Sequence, residues 1–160
     1  METNIINNIV MEAKTILYVE DDSVVLTAYR NRLEQEGFQV DTAQDGLEAM
    51  KLLSMLVPDL VILDLMLPKI NGAEVLKYIR SHPRLKAVPV IILSTNSFIN
   101  LSQEQVLESA NKRFIKDNCT FPMLLQAIHE LLAEPAVEDE ARATGRVDNA
   151  FAIKLTPAAA

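Results

Sequence analysis

The feature that most constrains this sequence is a set of short apolar runs, each stopping on a polar residue. Leu60-Val61-Ile62-Leu63 runs into Asp64, the apolar run of 88–93 into Ser94, and Ile16 to Val19 into Glu20. A strand apolar on both faces is covered on both faces, as in parallel sheets. The strand-like segments are 14–20, 38–43, 60–64, 88–94 and 112–116. Helical patterns separate them. Val24, Val25, Ala28 and Leu33 recur at helical spacing between Ser23 and Glu36, and Gly37 follows as a stop. Asp45 with Glu48 three residues on opens a helix to Leu56. Further helices are expected from Gly72 to Ser81, from a Ser102 cap to Ala110, and from a Thr120 cap to Ala133. Strands alternating with helices, joined by right-handed crossovers, predict an α/β protein with a doubly wound (βα)5 arrangement. Residues 1–13 read as a loosely ordered extension and 134–160 as a disordered tail poor in large apolar residues.

In such a sheet, ligands bind beyond the carboxyl ends of the strands. Those ends carry Glu20, Asp21 and Asp22; then Asp64; then Ser94 and Thr95; then Lys116. Each residue alone has an ordinary explanation. An acid at a strand end serves as a cap or loop residue, and Asp22 is placed to cap the next helix. A lone serine is a small strand-end residue, and a lone lysine is a solvated charge. Their joint placement on four ends of one sheet argues for chemistry. Crowded carboxylates repel unless a cation intervenes. Mg²⁺ suits them, because it takes one or two carboxylates, waters and phosphate oxygens. Asp64 is then a competent nucleophile for an acyl phosphate, with Ser94 and Lys116 placed to hold phosphoryl oxygens.

Composition removes several other classes. A net charge of −7 over 160 residues argues against nucleic acid and against a polybasic membrane anchor. No apolar run reaches membrane-spanning length. The first residues lack the basic start and apolar core of a signal peptide. Cys119 stands alone, so no intrachain disulfide forms, and a cytoplasmic setting is expected. Cys119, His82 and His129 together do not make a structural zinc site. The four glycines are scattered, which excludes a dinucleotide fingerprint or P-loop. An Asp-nucleophile hydrolase would ordinarily place a second acid where Met66 stands, and a thioether moves no protons. Met50, Met55 and Met123 read as packing residues, Cys119 as inert, and both histidines as structural or solvated.

The runs ILYVEDD (16–22), VILDLMLPKINGAEVLKYIR (61–80), VPVIILST (88–95) and FIK (114–116) resemble the receiver domains of bacterial two-component response regulators. Asp64 stands 43 residues after Asp21, 30 before Ser94 and 52 before Lys116, intervals that match the family. The resemblance covers 14–133. It implies a flavodoxin-like fold with strand order 2-1-3-4-5. It makes Asp64 the phosphoacceptor, and Glu20, Asp21, Asp64 and the Met66 carbonyl the Mg²⁺ ligands. Ser94 becomes the switch hydroxyl and Lys116 the partner of a phosphoryl oxygen. The donor would be a sensor histidine kinase or histidine phosphotransfer protein. The receiver would catalyse only its own phosphorylation and dephosphorylation. With no effector module after 133, its output would be contact with a downstream protein. The face of the fourth helix, fifth strand and last helix would serve that contact or a homodimer.

Three positions depart from the family pattern. Arg113 replaces the usual aromatic, so an inward ring rotation is not the readout, and Arg113 is expected to be exposed or ion-paired. Asp117 replaces a cis proline, leaving the Lys116–Asp117 peptide either trans or strained. Thr95 replaces a smaller residue and narrows access to Asp64. With Met66 and Asn96 flanking the path of attacking water, slow self-dephosphorylation is expected. The alternative reading is a receiver-fold interaction module that acts without phosphorylation.

Overall fold

A computed structural model describes residues 12–95 and 104–133. The expectations for the N-terminal extension up to residue 11, for Asn96, for the Ser102 cap and for the 134–160 tail fall outside the described residues. Strands β1 (Thr15–Val19), β2 (Gln39–Ala43), β3 (Leu60–Leu63), β4 (Val90–Ser94) and β5 (Lys112–Ile115) alternate with helices α1 (Ser23–Gln35), α2 (Gly46–Met55), α3 (Gly72–Ser81), α4 (Glu104–Leu107) and α5 (Phe121–Leu132). All pairings are parallel, and the sheet order is β2-β1-β3-β4-β5. This is the doubly wound flavodoxin-like arrangement.

Strand periodicity divides the core into two layers. Leu17, Val19, Val61 and Leu63 face Ala49 and Leu53 of α2 and Val75, Leu76 and Ile79 of α3. Ile16, Tyr18, Leu60 and Ile62 face Leu26 and Leu33 of α1 and Leu124, Ala127 and Ile128 of α5. Every residue of β1 from Ile16 on and of β3 is fully buried. At about 1.5–3 kcal/mol for each large apolar side chain, these central strands anchor the fold. Edge strand β5 is only half-buried and carries Lys112 and Arg113, charges that discourage edge-to-edge pairing.

The helix boundaries follow local chemistry. Asp22 accepts from the backbone N–H of Val24 (2.8 Å) and Val25 (3.1 Å), as its capping position predicts. Gly37 follows α1 with φ +93, the left-handed conformation that favours glycine. Asp45 caps α2 through the N–H of Glu48 (2.8 Å). The reciprocal bond differs from a standard capping box, because Glu48 accepts from Gln44 rather than from Asp45. Arg80 ties α3 to the far strands, donating to the Val88 carbonyl (2.8 Å) and to Asn111 Oδ1 (3.0 Å).

The methionine expectation needs correcting. Met50 packs against the core, but Met55 (71% exposed) and Met123 (45% exposed) do not. Met55 is the last residue of α2, before the connection to β3, and Met123 lies on the outer side of α5.

Two glycines are fixed by close approach. A Cβ on Gly46 would overlap the Ile70 carbonyl, and one on Gly72 would overlap the Asp64 carbonyl. Both contacts hold the loop of 65–71 against the top of the sheet. Gly46→Ala is therefore expected to lower stability by about 1–3 kcal/mol through overpacking. The measurement is a urea midpoint with an unchanged slope. An unaltered midpoint would show that the loop yields freely.

Candidate functional site: a carboxylate and lysine cluster at the strand ends

The parallel ladder delivers the site residues side by side. Its hydrogen bonds continue past the strands, from Glu20 N–H to the Ala43 carbonyl (3.0 Å) and from Asp64 N–H to the Val19 carbonyl (3.1 Å). Ser94 pairs in register with Ile115, so Lys116 emerges one residue above it. Asp64 is 3% exposed, Glu20 1% and Ser94 6%; Asp21 is exposed.

Asp64 Oδ1 accepts from the Met66 N–H (3.0 Å) and from Ser94 Oγ (2.8 Å), and Asp64 Oδ2 accepts from Lys116 Nζ (2.5 Å). Lys116 Nζ also lies 2.6 Å from Glu20 Oε2. Glu20 Oε2 further accepts from the Tyr18 hydroxyl (3.3 Å), and Glu20 Oε1 from the Asp22 N–H (3.3 Å). Carboxylate oxygens of Glu20, Asp21 and Asp64 all come within 4.8 Å of one another. All five residues expected at the site thus converge. Met66 contributes its backbone N–H to Asp64, and its side chain is 55% exposed.

The electrostatics follow from burial. Desolvation raises the Glu20 pKa, and the hydrogen bond and charge of Lys116 only partly offset it. Burial works to lower the Lys116 pKa, but Asp64 and Glu20 outweigh it and hold the ammonium above its usual value. Burial, then the nearby Glu20 charge, pushes the Tyr18 phenol far up, so it acts as a hydrogen-bond donor. With the carboxylates ionised, three negative charges face one ammonium, which leaves two negative charges over. An all-oxygen donor set with that excess suits a hard divalent cation.

The departures also have places in the structure. Arg113 pairs with Glu104 Oε1 on α4 (3.2 Å), both half exposed, as expected for an ion-paired group. A cleft of about 140 Å³ lies between Ser94, Thr95 and Arg113, floored by Leu65, Ile92 and Leu107. The Lys116–Asp117 peptide is trans and opens a 3-10 turn, Lys116–Asn118. Cys119 is buried and its thiol is pushed up by desolvation, which fits an inert residue. His82 and His129 are exposed beside Tyr78 and Phe38.

Two contacts were missed from the sequence. The first is the Tyr18–Glu20 hydrogen bond, whose only signal is a two-residue spacing on a strand. The second is the clip on the loop after Asp64. Lys69 adopts φ 65 and its Nζ reaches Asp45 Oδ2 (2.5 Å). The hydrogen bond from Lys69 holds the Asp45 carboxyl below its ordinary range.

A test of the electrostatics uses Glu20→Gln without divalent cations. A folded pKa above the ordinary 4.5 means that ionised Glu20 opposes folding. The penalty is absent below 4.5, grows as pH rises, and is complete above the raised value. The variant should therefore melt higher than the parent at pH above that value, with the difference vanishing on acidification. A variant less stable at every pH would mean that pairing with Lys116 outweighs burial.

A family model described as the response regulator receiver domain matches residues 16–129. The polar-differentiation response regulator DivK of Brucella anthropi is 26% identical over 121 residues, 76% of this chain and 98% of its own. The receiver domain of a signal transduction histidine kinase from Syntrophus aciditrophicus superposes with a TM-score of 0.67 at 30% identity, covering 75% of this chain and 90% of that one. The response regulator TrrA of Thermotoga maritima, solved in complex with Mg(2+)-BeF, gives a TM-score of 0.65 at 31% identity, covering 74% and 99%. The family match covers every strand end that carries the cluster, and this chain belongs to the response regulator receiver domains.

Proposed function

We propose that Asp64 accepts a phosphoryl group from a phosphohistidine on a histidine kinase or phosphotransfer protein. The observation that carries this reading is the Asp64 carboxylate, 3% exposed, with one oxygen on Lys116 (2.5 Å) and the other on Ser94 (2.8 Å). In the transfer a carboxylate oxygen of Asp64 forms the new P–O bond, the P–N bond to the donor imidazole breaks, and the imidazole leaves with that electron pair. Lys116 and Ser94 already touch the nucleophile. They need only shift to the arriving phosphoryl oxygens, which places their charge and hydrogen bond where negative charge gathers.

Glu20, Asp21, Asp64 and the Met66 carbonyl would hold Mg²⁺, the ion in the TrrA complex. Bound there, it would supply charge neutralisation to the phosphoryl oxygens. The domain would catalyse only its own modification and act as a signalling protein in the cytoplasm. Val24, Met66 and Ile115 are exposed apolar residues close in sequence to Asp22, Asp64 and Lys116. They suit contact with a protein donor rather than a small metabolite. Output, or pairing of two copies, would use the face of α4, β5 and α5, where Met123 is exposed and Lys112 pairs with Glu130 (3.1 Å).

Incubation with Mg²⁺ and acetyl phosphate, followed by intact mass, should add one phosphoryl group, and Asp64→Asn should abolish it. No addition to the parent protein would leave the fold acting as an interaction module without phosphorylation.

Met66 has a thioether where a polar side chain could orient water, and Thr95 adds bulk at the mouth. The purified phosphoprotein should therefore lose its group slowly. A half-life of seconds by mass spectrometry would contradict this.

A further inference from the structure

Tyr18 is fully buried in the apolar layer beneath α1 and α5, with its ring 5.7 Å from that of Tyr29. Packing alone does not need its hydroxyl, since phenylalanine would fill the same space without burying a polar atom. The hydroxyl makes one hydrogen bond among the described residues, donated to Glu20 Oε2 at 3.3 Å. Backbone geometry sets up the contact. Residues two apart on an extended chain leave it on the same side, and the phenol is long enough to reach the strand end.

Glu20 Oε2 has a second donor, Lys116 Nζ at 2.6 Å. The proposed chemistry draws Lys116 toward a phosphoryl group. When that happens, Tyr18 is the remaining side chain of the described residues that holds this oxygen. The Asp22 N–H holds the other oxygen at 3.3 Å. The two leftover donors thus hold different oxygens of the carboxylate.

We infer that Tyr18 is a positioning residue of the cation site, whose hydroxyl acts with Lys116 to keep Glu20 aimed at the cation and holds that oxygen alone once Lys116 turns to the phosphoryl group. The inference rests on reading Glu20 as part of the Mg²⁺ site. Groups behind a metal ligand fix its orientation, and their loss costs about 10–100-fold in metal affinity. The 3.3 Å contact is a long one. It belongs at the lower end of that range.

The test is Tyr18→Phe in the full chain, with Mg²⁺ affinity measured by calorimetry and thermal unfolding measured without Mg²⁺. Binding weaker by about tenfold, with an unchanged melting temperature, is the expected result. Tyr29→Phe, which removes a hydroxyl from the same aromatic layer, should bind like the parent. Equal Mg²⁺ affinity in Tyr18→Phe and parent overturns the inference, whether or not the variant melts lower. A parent that bound no Mg²⁺ would overturn the phosphoacceptor reading and this inference with it. Should Tyr18→Phe not fold, tyrosine absorption of the parent decides. Mg²⁺ should perturb a tyrosine signal that survives Tyr29→Phe and Tyr78→Phe, and a spectrum unmoved by saturating Mg²⁺ refutes the assignment.

Discussion

The Lys116 ammonium, held between Glu20 and Asp64 at 2.6 and 2.5 Å, is the contact around which the upper edge of the sheet is organised. Two carboxylates so deeply buried are unfavourable unless a positive charge is shared between them. Lys116 provides it from the end of the edge strand, so the charge balance of β1 and β3 depends on β5 being correctly seated. That seating depends in turn on the register Leu93↔Phe114 and Ser94↔Ile115. A register slip of one residue would turn Lys116 away and leave two buried acids facing each other. Fold and site therefore depend on the same parallel pairing.

The loop after Asp64 is built with a comparable lack of slack. Gly72 lets the chain cross the Asp64 carbonyl, Gly46 lets it cross at Ile70, and the left-handed Lys69 turns back to pair with Asp45. The Met66 N–H is thereby aimed at Asp64 Oδ1 at 3.0 Å. Asp45 caps α2 as well as holding Lys69, so helix, loop and nucleophile are linked through one side chain. Such preorganisation means that little reorganisation is needed when charge arrives at the site.

Much of this was legible in the sequence, for identifiable reasons. Leu60 to Leu63 are apolar without interruption, and only a strand covered on both faces accommodates that, so the layer order followed. Glu20, Asp64, Ser94 and Lys116 each end such a run, and a parallel sheet brings such ends together. Pairwise contacts between distant loops were not legible. Asp45 reads as a helix cap, and nothing local indicates that Lys69, 24 residues on, will share it. Tyr18 reads as one more large core residue, because burial and hydrogen bonding leave the same mark on a strand pattern. Met55 and Met123 fit a helical spacing, but periodicity does not fix how far round the helix the core extends, and both lie beyond it.

Arg113 joins α4 to the sheet through charge. A ring would join them by burial, whereas Arg113 joins them through an ion pair with Glu104 whose side chains are 44% and 39% exposed. Exposed pairs of this kind contribute about 1 kcal/mol or less and weaken with salt. The apolar attachment therefore carries the weight, through buried Leu107 and partly buried Val106. The cleft between Ser94 and Arg113 borders that same leucine. Movement of Ser94 toward a phosphoryl group would alter the wall of the cleft against which Leu107 packs. A helix held by few apolar contacts responds to a small change at one of them, because only the difference in interaction between two states shifts their populations. Leu107 thus packs where the cleft beside Ser94 meets α4, and the Arg113–Glu104 pair spans the same junction from outside.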